Sequence, residues 1–191
     1  MNRNLKLFFA AILLLVPSVV FAQQTKGEVV TMGGMPIHTV GMMPKVGDTA
    51  PEATLCDTEL KDVTAADFKG KKIILNVFPS VDTRTCSASV RAFNQKAADI
   101  KDAVVLCVSK DLPFAMKRFC GAEGIKNVHT LSDFRSDFGT RYGLLIADGP
   151  LKGLLARAVI VIDTDGKVLY TELVKEISKE PNYDAALKVL K

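Results

Sequence analysis

Apolar residues along this chain follow two patterns, short continuous runs and a one-sided helical spacing, which predict alternating strands and helices in its central part. Residues 72–78 form a strand-like run rich in β-branched residues, and residues 103–109 are the apolar run expected of a strand buried on both faces. Between them, residues 85–100 place Val90, Phe93, Ala97 and Ile100 on one side of a helix. A strand, a helix and a second strand are therefore predicted here.

The same alternation continues on both sides of this unit. Downstream, the pattern predicts helices over 112–120, 134–142 and 183–190, a strand over 128–131, and a hairpin of strands 156–162 and 168–174. Upstream, Gly33-Gly34 separates two strand-like runs between Val29 and Val40, and a short strand is expected over 53–56. This order predicts an α/β domain of thioredoxin-like fold, with a central mixed sheet flanked by helices and an N-terminal β-hairpin extension.

The first residues have the pattern of a secretory signal peptide. Arg3 and Lys6 precede the apolar run of residues 7–16, and Val20-Phe21-Ala22 resembles a signal-peptidase site. A retained membrane anchor is the alternative, but the run stops at Pro17 after about ten residues, half the roughly 20 that a spanning helix needs. We therefore expect residues 1–22 to be cleaved during export to the periplasm, which leaves residues 23–191 as one domain.

Charge and histidine placement argue against several kinds of function. The formal net charge of +4 falls to +2 without Arg3 and Lys6, and the remaining charges are mixed in sign with no basic block. Binding of nucleic acid or of a membrane surface by charge is therefore not expected. His38 and His129 stand alone and no C-x-x-C occurs, so no metal site and no cofactor are predicted.

Four cysteines, Cys56, Cys86, Cys107 and Cys120, offer either a structural disulfide or redox chemistry. Cys86 is the strongest candidate nucleophile, because it follows a proline loop at the expected start of a helix. Free backbone N–H groups and the helix dipole stabilise a thiolate at such a position. The alternative for Cys86 is a half-buried structural thiol. Cys107 lies within an apolar strand and is expected to be buried and inert.

Two further residues suit a thiolate that meets an oxygen substrate. Thr83 occupies the place of the first cysteine of a C-x-x-C motif, and its hydroxyl can accept one hydrogen bond and donate another. It can also cap the helix, and the two roles are compatible. Arg157 lies in an apolar strand, where an arginine is rare unless it is paired. Its partner is either a thiolate with a bound peroxide or a carboxylate.

Cys120 is a candidate for the second thiol of a redox cycle. A sulfenic acid that a peroxide forms on Cys86 usually condenses with another thiol. Cys120 precedes Gly121 at the expected end of a helix, where the chain can move. Bridging requires Cα atoms within about 7 Å, so a pair on separate elements needs local unfolding.

Three segments of the chain resemble the bacterial thiol peroxidases, which are atypical two-cysteine peroxiredoxins. They are Phe78-Pro79-Ser80-Val81-Asp82-Thr83-x-x-Cys86, Ser109-x-Asp111-Leu112-Pro113-Phe114-Ala115 through Arg118-Phe119-Cys120-Gly121-Ala122-Glu123-Gly124, and Ala147-Asp148-Gly149-Pro150-Leu151-x-Gly153-Leu154-x-Ala156-Arg157-Ala158-Val159. The segments match in order and spacing, and the resemblance runs from about Val29 to Lys191.

The resemblance implies a role for each candidate residue. Cys86 is the expected peroxidatic cysteine and Cys120 the resolving one, joined by an intrachain disulfide during turnover. Pro79 is expected to shield the thiolate pocket, and Thr83 and Arg157 to activate the peroxide. The resemblance also implies a homodimer, a preference for organic hydroperoxides beside hydrogen peroxide, and a thioredoxin-type protein as the reductant.

The chain departs from this family pattern in three places. Arg84-Thr85 stands where a smaller or apolar pair is common, Cys56 is not a motif position, and familiar members work in the cytoplasm without a signal peptide. Export therefore implies an exported thioredoxin-like reductant. The leading hypothesis is a thiol-dependent peroxidase, and the alternative is a non-catalytic exported module held by a structural Cys86–Cys120 disulfide.

Overall fold

A computed structural model describes residues 26–191 of the chain. The predicted signal peptide, residues 1–22, lies outside the described residues. In chain order the elements are β1 Lys26–Met32, β2 Met35–Val40, β3 Leu55–Cys56, β4 Asp62–Val63, a 3-10 turn Ala65–Phe68, β5 Lys72–Val77, α1 Arg84–Ala97, β6 Ala103–Ser109, α2 Pro113–Glu123, β7 His129–Ser132, α3 Phe138–Arg141, β8 Ala158–Ile162, β9 Val168–Leu173 and α4 Tyr183–Lys188.

Seven strands form the central sheet in the order β4-β3-β7-β6-β5-β8-β9, and β1 and β2 form a separate hairpin. β5, β6 and β7 run parallel, whereas β8, β9 and β3 pair antiparallel to their neighbours. The sheet is therefore mixed, with a βαβ unit at its centre. The predicted thioredoxin-like class and the N-terminal hairpin are confirmed.

The two faces of the sheet pack into two apolar clusters, because side chains alternate along each strand. On one face, Ile73, Leu75 and Val77 of β5 join the larger cluster. On the other face, Ile74 joins the cluster beneath α1 that contains Cys107. Cys107 is fully buried, as predicted, and burial raises the pKa of its thiol to about 12, which is consistent with the predicted lack of reactivity.

Two predicted helices have different bounds in the structure. The helix expected over 134–142 is a single turn, because the buried carboxylate of Asp133 accepts hydrogen bonds from the N–H groups of Phe138 and Gly139, both at 3.1 Å. This contact from the preceding loop fixes the start of α3 at Phe138. α2 continues three residues past Cys120 and ends at Gly124, whose φ of 66° suits glycine. The expectation that Cys120 ends the helix was wrong; it lies in the last turn.

The other predicted elements agree with the structure to within a few residues at their ends, as is usual for helix and strand boundaries. Within residues 26–191, every helix is too short or too polar to cross a membrane.

Candidate active site

Cys86 lies in the first turn of α1, directly above the end of β5. The N–H of Phe78 still pairs with the carbonyl of Val108, so the chain leaves the sheet only at Pro79, which is buried. α1 then begins at Arg84, and the first helical hydrogen bond joins the Ser87 N–H to the Thr83 carbonyl at 2.9 Å. The thiol of Cys86 is fully buried at this junction. The predicted position at a helix start is confirmed.

The hydroxyl of Thr83 lies against the sulfur of Cys86. Thr83 Oγ1 is 2.8 Å from Cys86 Sγ and 3.1 Å from the carbonyl oxygen of Ser80. Thr83 occupies the N-cap position but makes no side-chain capping bond. Its single proton can go to Ser80 while Cys86 is a thiol, and to the sulfur when Cys86 is a thiolate. The hydroxyl can therefore follow the charge state of the sulfur.

Arg157 brings a buried positive charge to the same sulfur. Its side chain is 2% exposed, and Nη2 lies 3.2 Å from Cys86 Sγ. Nε donates to the carbonyl of Ile177 at 2.9 Å, and Nη1 is buried without a hydrogen-bond partner among residues 26–191. No carboxylate of that part of the chain pairs with Arg157, so the carboxylate alternative is wrong. A buried cation without a counter-charge favours an anion beside it, here a thiolate.

The carboxylate of Asp111 holds the loop before Cys86 in place by hydrogen bonds. The sequence alone assigned no role to Asp111. Its carboxylate accepts hydrogen bonds from the Ser80 hydroxyl at 2.8 Å, the Val81 N–H at 2.7 Å and the Ser109 hydroxyl at 2.7 Å. The proline loop is thereby tied to the end of β6. The only sequence signal for this role was the place of Asp111 within a family motif.

A second group that sequence reasoning missed lies beneath the cysteine. Ser89 Oγ donates to the carbonyl of Cys86 at 2.8 Å, and Asn76 Nδ2 donates to Ser89 Oγ at 3.3 Å and lies 3.5 Å from Cys107 Sγ. These buried polar side chains fix the first turn of α1 from the sheet side. A polar Asn76 within an otherwise apolar strand was the signal that could have revealed the group.

Cys120 is not bonded to Cys86 in this structure. All four cysteines are free thiols, and the half-buried Cys120 Sγ lies 3.3 Å from Thr130 Oγ1. Because Cys86 Sγ is instead held by Thr83 and Arg157, the structure represents the reduced form. The two helices that carry the thiols are joined at the surface by an Arg91–Glu123 ion pair of 2.9 Å, which is an exposed contact and contributes little to stability.

Comparison with known proteins gives a consistent result. The redoxin family matches residues 45–187 of the chain. A thiol peroxidase from Mycobacterium tuberculosis is 57% identical over 161 residues, which cover 84% of this chain and 97% of that protein. A thiol peroxidase from Corynebacterium glutamicum is 58% identical over 152 residues, which cover 80% and 92%. The crystal structure of a peroxiredoxin-like protein from Aquifex aeolicus superposes with a TM-score of 0.81 at 44% identity, covering 85% of this chain and 95% of that one.

A thioredoxin-like fold with a buried thiol held by a hydroxyl and a guanidinium defines the class of thiol-based oxidoreductases. The chain belongs to the redoxin family, and within that family to the thiol peroxidases. It is a peroxiredoxin-type enzyme that reduces peroxides at the expense of thiols. This result sets aside the alternative of a non-catalytic module held by a structural disulfide.

Proposed function

We propose that Cys86 is the peroxidatic cysteine of this enzyme. Its thiolate attacks the terminal oxygen of a hydroperoxide, so that an S–O bond forms and the O–O bond breaks, and the leaving oxygen takes a proton from solvent and departs as water or an alcohol. The product is a sulfenic acid on Cys86. The observation that carries the proposal is the convergence of Thr83 Oγ1 at 2.8 Å and Arg157 Nη2 at 3.2 Å on one buried sulfur.

Thr83 and Arg157 also suit the stabilisation of the peroxide itself. Arg157 Nη1, buried and without a partner among residues 26–191, is available to donate to a peroxide oxygen as charge develops on it. The Thr83 hydroxyl, at the exposed rim, can accept from the peroxide O–H while it donates to the sulfur. Pro79, buried in the loop before α1, excludes water from the sulfur.

We propose that Cys120 resolves the sulfenic acid. Its sulfur attacks the sulfur of Cys86, an S–S bond forms, and the sulfenic oxygen leaves as water. The first turn of α1 or the last turn of α2 must open for this step, because each sulfur is held by other partners in the reduced form. An exported thioredoxin-like dithiol then reduces the disulfide and restores both thiols. Hydrogen peroxide and organic hydroperoxides are the proposed substrates.

The Cys120→Ser variant separates the two steps of this cycle. One peroxide equivalent should still be consumed at an unchanged rate, because the groups around Cys86 remain in place. Turnover supported by thioredoxin should then fall by about 10²-fold or more, since no intrachain disulfide forms. Stopped-flow peroxide consumption measures the first step, and mass spectrometry of the sulfenic acid measures its accumulation. A Cys107→Ala variant is the matched control, and full turnover in Cys120→Ser contradicts the resolving role.

We further propose that the mature protein is an exported homodimer of residues 23–191. Leu112 and Phe114, at the start of α2, are 51% and 64% exposed and lie beside Asp111, so apolar surface is available next to the active-site loop. Protein recovered from the periplasm should have the intact mass of residues 23–191. The same protein should sediment as a dimer, and the Phe114→Asp variant as a monomer. An uncleaved N-terminus in the recovered protein, or a wild-type monomer at micromolar concentration, contradicts the corresponding part of this proposal.

A further inference from the structure

One backbone segment joins the N-terminal hairpin to the active site. We call residues 174–178, which follow β9, the strap. On its inner side, the strap holds Arg157 through two bonds: Ile177 accepts from Nε at 2.9 Å, and the Val174 N–H donates to the Arg157 carbonyl at 2.9 Å. The carbonyl of Ser178 also accepts from Thr85 Oγ1 at 3.1 Å, one residue before Cys86. The strap therefore contacts both the guanidinium and the first turn of α1.

On its outer side, the strap is bound to β1. The Thr31 N–H donates to the carbonyl of Lys175 at 2.6 Å, and the Ile177 N–H donates to the carbonyl of Thr31 at 2.8 Å. Between these two backbone bonds lies Glu176, whose side chain points back over the hairpin turn. The hairpin is thus connected to Arg157 through the strap.

The carboxylate of Glu176 binds five donors. Oε1 accepts from the N–H of Gly33 at 3.0 Å, and from the N–H and hydroxyl of Ser178 at 3.4 and 2.7 Å. Oε2 accepts from the Thr31 hydroxyl at 2.7 Å and the N–H of Gly34 at 3.2 Å. Gly33 and Gly34 have φ of 60° and 82°, the turn conformation that aims both N–H groups at one side. These donors, the Ser178 hydroxyl above all, lower the pKa of Glu176 to about 2.

We propose that Glu176 is a positioning residue for peroxide reduction, because it fixes the hairpin turn to the strap and thereby orients Arg157 toward the sulfur of Cys86. The proposal rests on the proposed function, in which Arg157 activates Cys86 and the peroxide. Among the described residues, the guanidinium makes only two hydrogen bonds, one to the backbone carbonyl of Ile177 and one to Cys86 Sγ. A shift of the strap therefore moves Arg157 directly, since no carboxylate of that part of the chain holds it independently.

Glu176→Gln tests the proposal. All five partners of the carboxylate are donors, so an amide NH2 group must face at least one of the glycine N–H groups or Ser178, and the turn loses part of its attachment. We expect kcat/KM for peroxide to fall about tenfold, while kcat/KM for the thioredoxin reductant stays within twofold. We also expect alkylation of Cys86 by iodoacetamide to reach half of its maximal rate at a higher pH than in the wild type.

The matched control is Glu180→Gln, which removes a carboxylate charge from the same stretch of chain and leaves the strap bonds intact, since Glu180 accepts from the Tyr183 hydroxyl. It should leave the peroxide rate and the Cys86 alkylation profile unchanged. If Glu176→Gln does not fold, Ser178→Ala replaces it. That change removes one donor to Oε1 without any change of charge, and should lower kcat/KM for peroxide about threefold.

The outcomes distinguish this inference from the proposed function. A Glu176→Gln enzyme with a lower melting temperature, but with wild-type peroxide kinetics and a wild-type Cys86 alkylation profile, overturns the positioning role and leaves a structural one. A Cys86→Ser enzyme that keeps its peroxidase activity overturns the proposed function instead. A tenfold loss in Glu180→Gln as well as in Glu176→Gln assigns the effect to net charge and also overturns the inference.

Discussion

Replacing Cys86 by serine should lower peroxide turnover by at least about 10³-fold, because a serine hydroxyl does not ionise where a thiol does and is a far weaker nucleophile. The exchange keeps the size of the side chain and the hydrogen bonds of the pocket, so the fold should be retained. The measurement is steady-state consumption of hydrogen peroxide and of a bulky organic hydroperoxide by residues 23–191, with thioredoxin and its reductase as the electron source.

The control for this prediction is Cys56→Ala. Cys56 is equally buried, in β3, but its sulfur contacts only the carbonyl of Asp57 at 3.5 Å among the hydrogen bonds of residues 26–191. Cys56→Ala should therefore keep peroxide turnover within twofold of the wild type. If Cys86→Ser is as active as the wild type, another group is the nucleophile, and the assignment of the site is wrong.

Replacing Arg157 by glutamine should lower the rate of Cys86 oxidation by peroxide about 100-fold, the equivalent of about 2.7 kcal/mol of transition-state stabilisation. The amide lacks the charge that stabilises the thiolate, and it cannot bond the sulfur, the Ile177 carbonyl and a peroxide oxygen together. Lysine at this position should recover only part of the rate, because a point charge cannot replace the guanidinium fork.

Arg157→Gln should cost much less stability than activity, because no carboxylate among residues 26–191 loses a partner when the guanidinium is removed. Stopped-flow oxidation at several pH values, together with thermal unfolding, separates the two effects. Arg118→Gln is the control, since Arg118 is exposed and its pair with Asp82 is long, at 3.6 Å. An Arg157→Gln enzyme within threefold of the wild-type rate contradicts the assigned role.

Some elements were predictable because their pattern is local. The apolar runs that became β5 and β6 are mostly buried, and α1 buries Val90 and Phe93 of its predicted apolar side, while Ala97 and Ile100 pack partly buried against the same cluster. α3 was not predictable in this way: a buried carboxylate of Asp133, paired with Lys110 at 3.0 Å, selects the start of the helix. The Asp133 carboxylate caps a helix only five residues further on, but its burial and its pairing with Lys110 depend on a distant part of the chain, and local periodicity does not reveal them.

The features of the candidate site also separate into those that the sequence predicted and those that only the structure showed. The sequence by itself predicted the proposed nucleophile Cys86, its place at a helix start, the hydroxyl three residues before it, and a buried arginine without an obvious partner, because each depends on neighbouring residues or on a family motif. Only the tertiary structure decided that Arg157 and Thr83 meet at the sulfur of Cys86, that Asp111 ties down the loop, and that the strap with Glu176 connects the hairpin to the guanidinium. The physical reason is that hydrogen bonds between distant segments depend on how the sheet and its connections pack, and packing is a property of the whole chain rather than of any stretch of it.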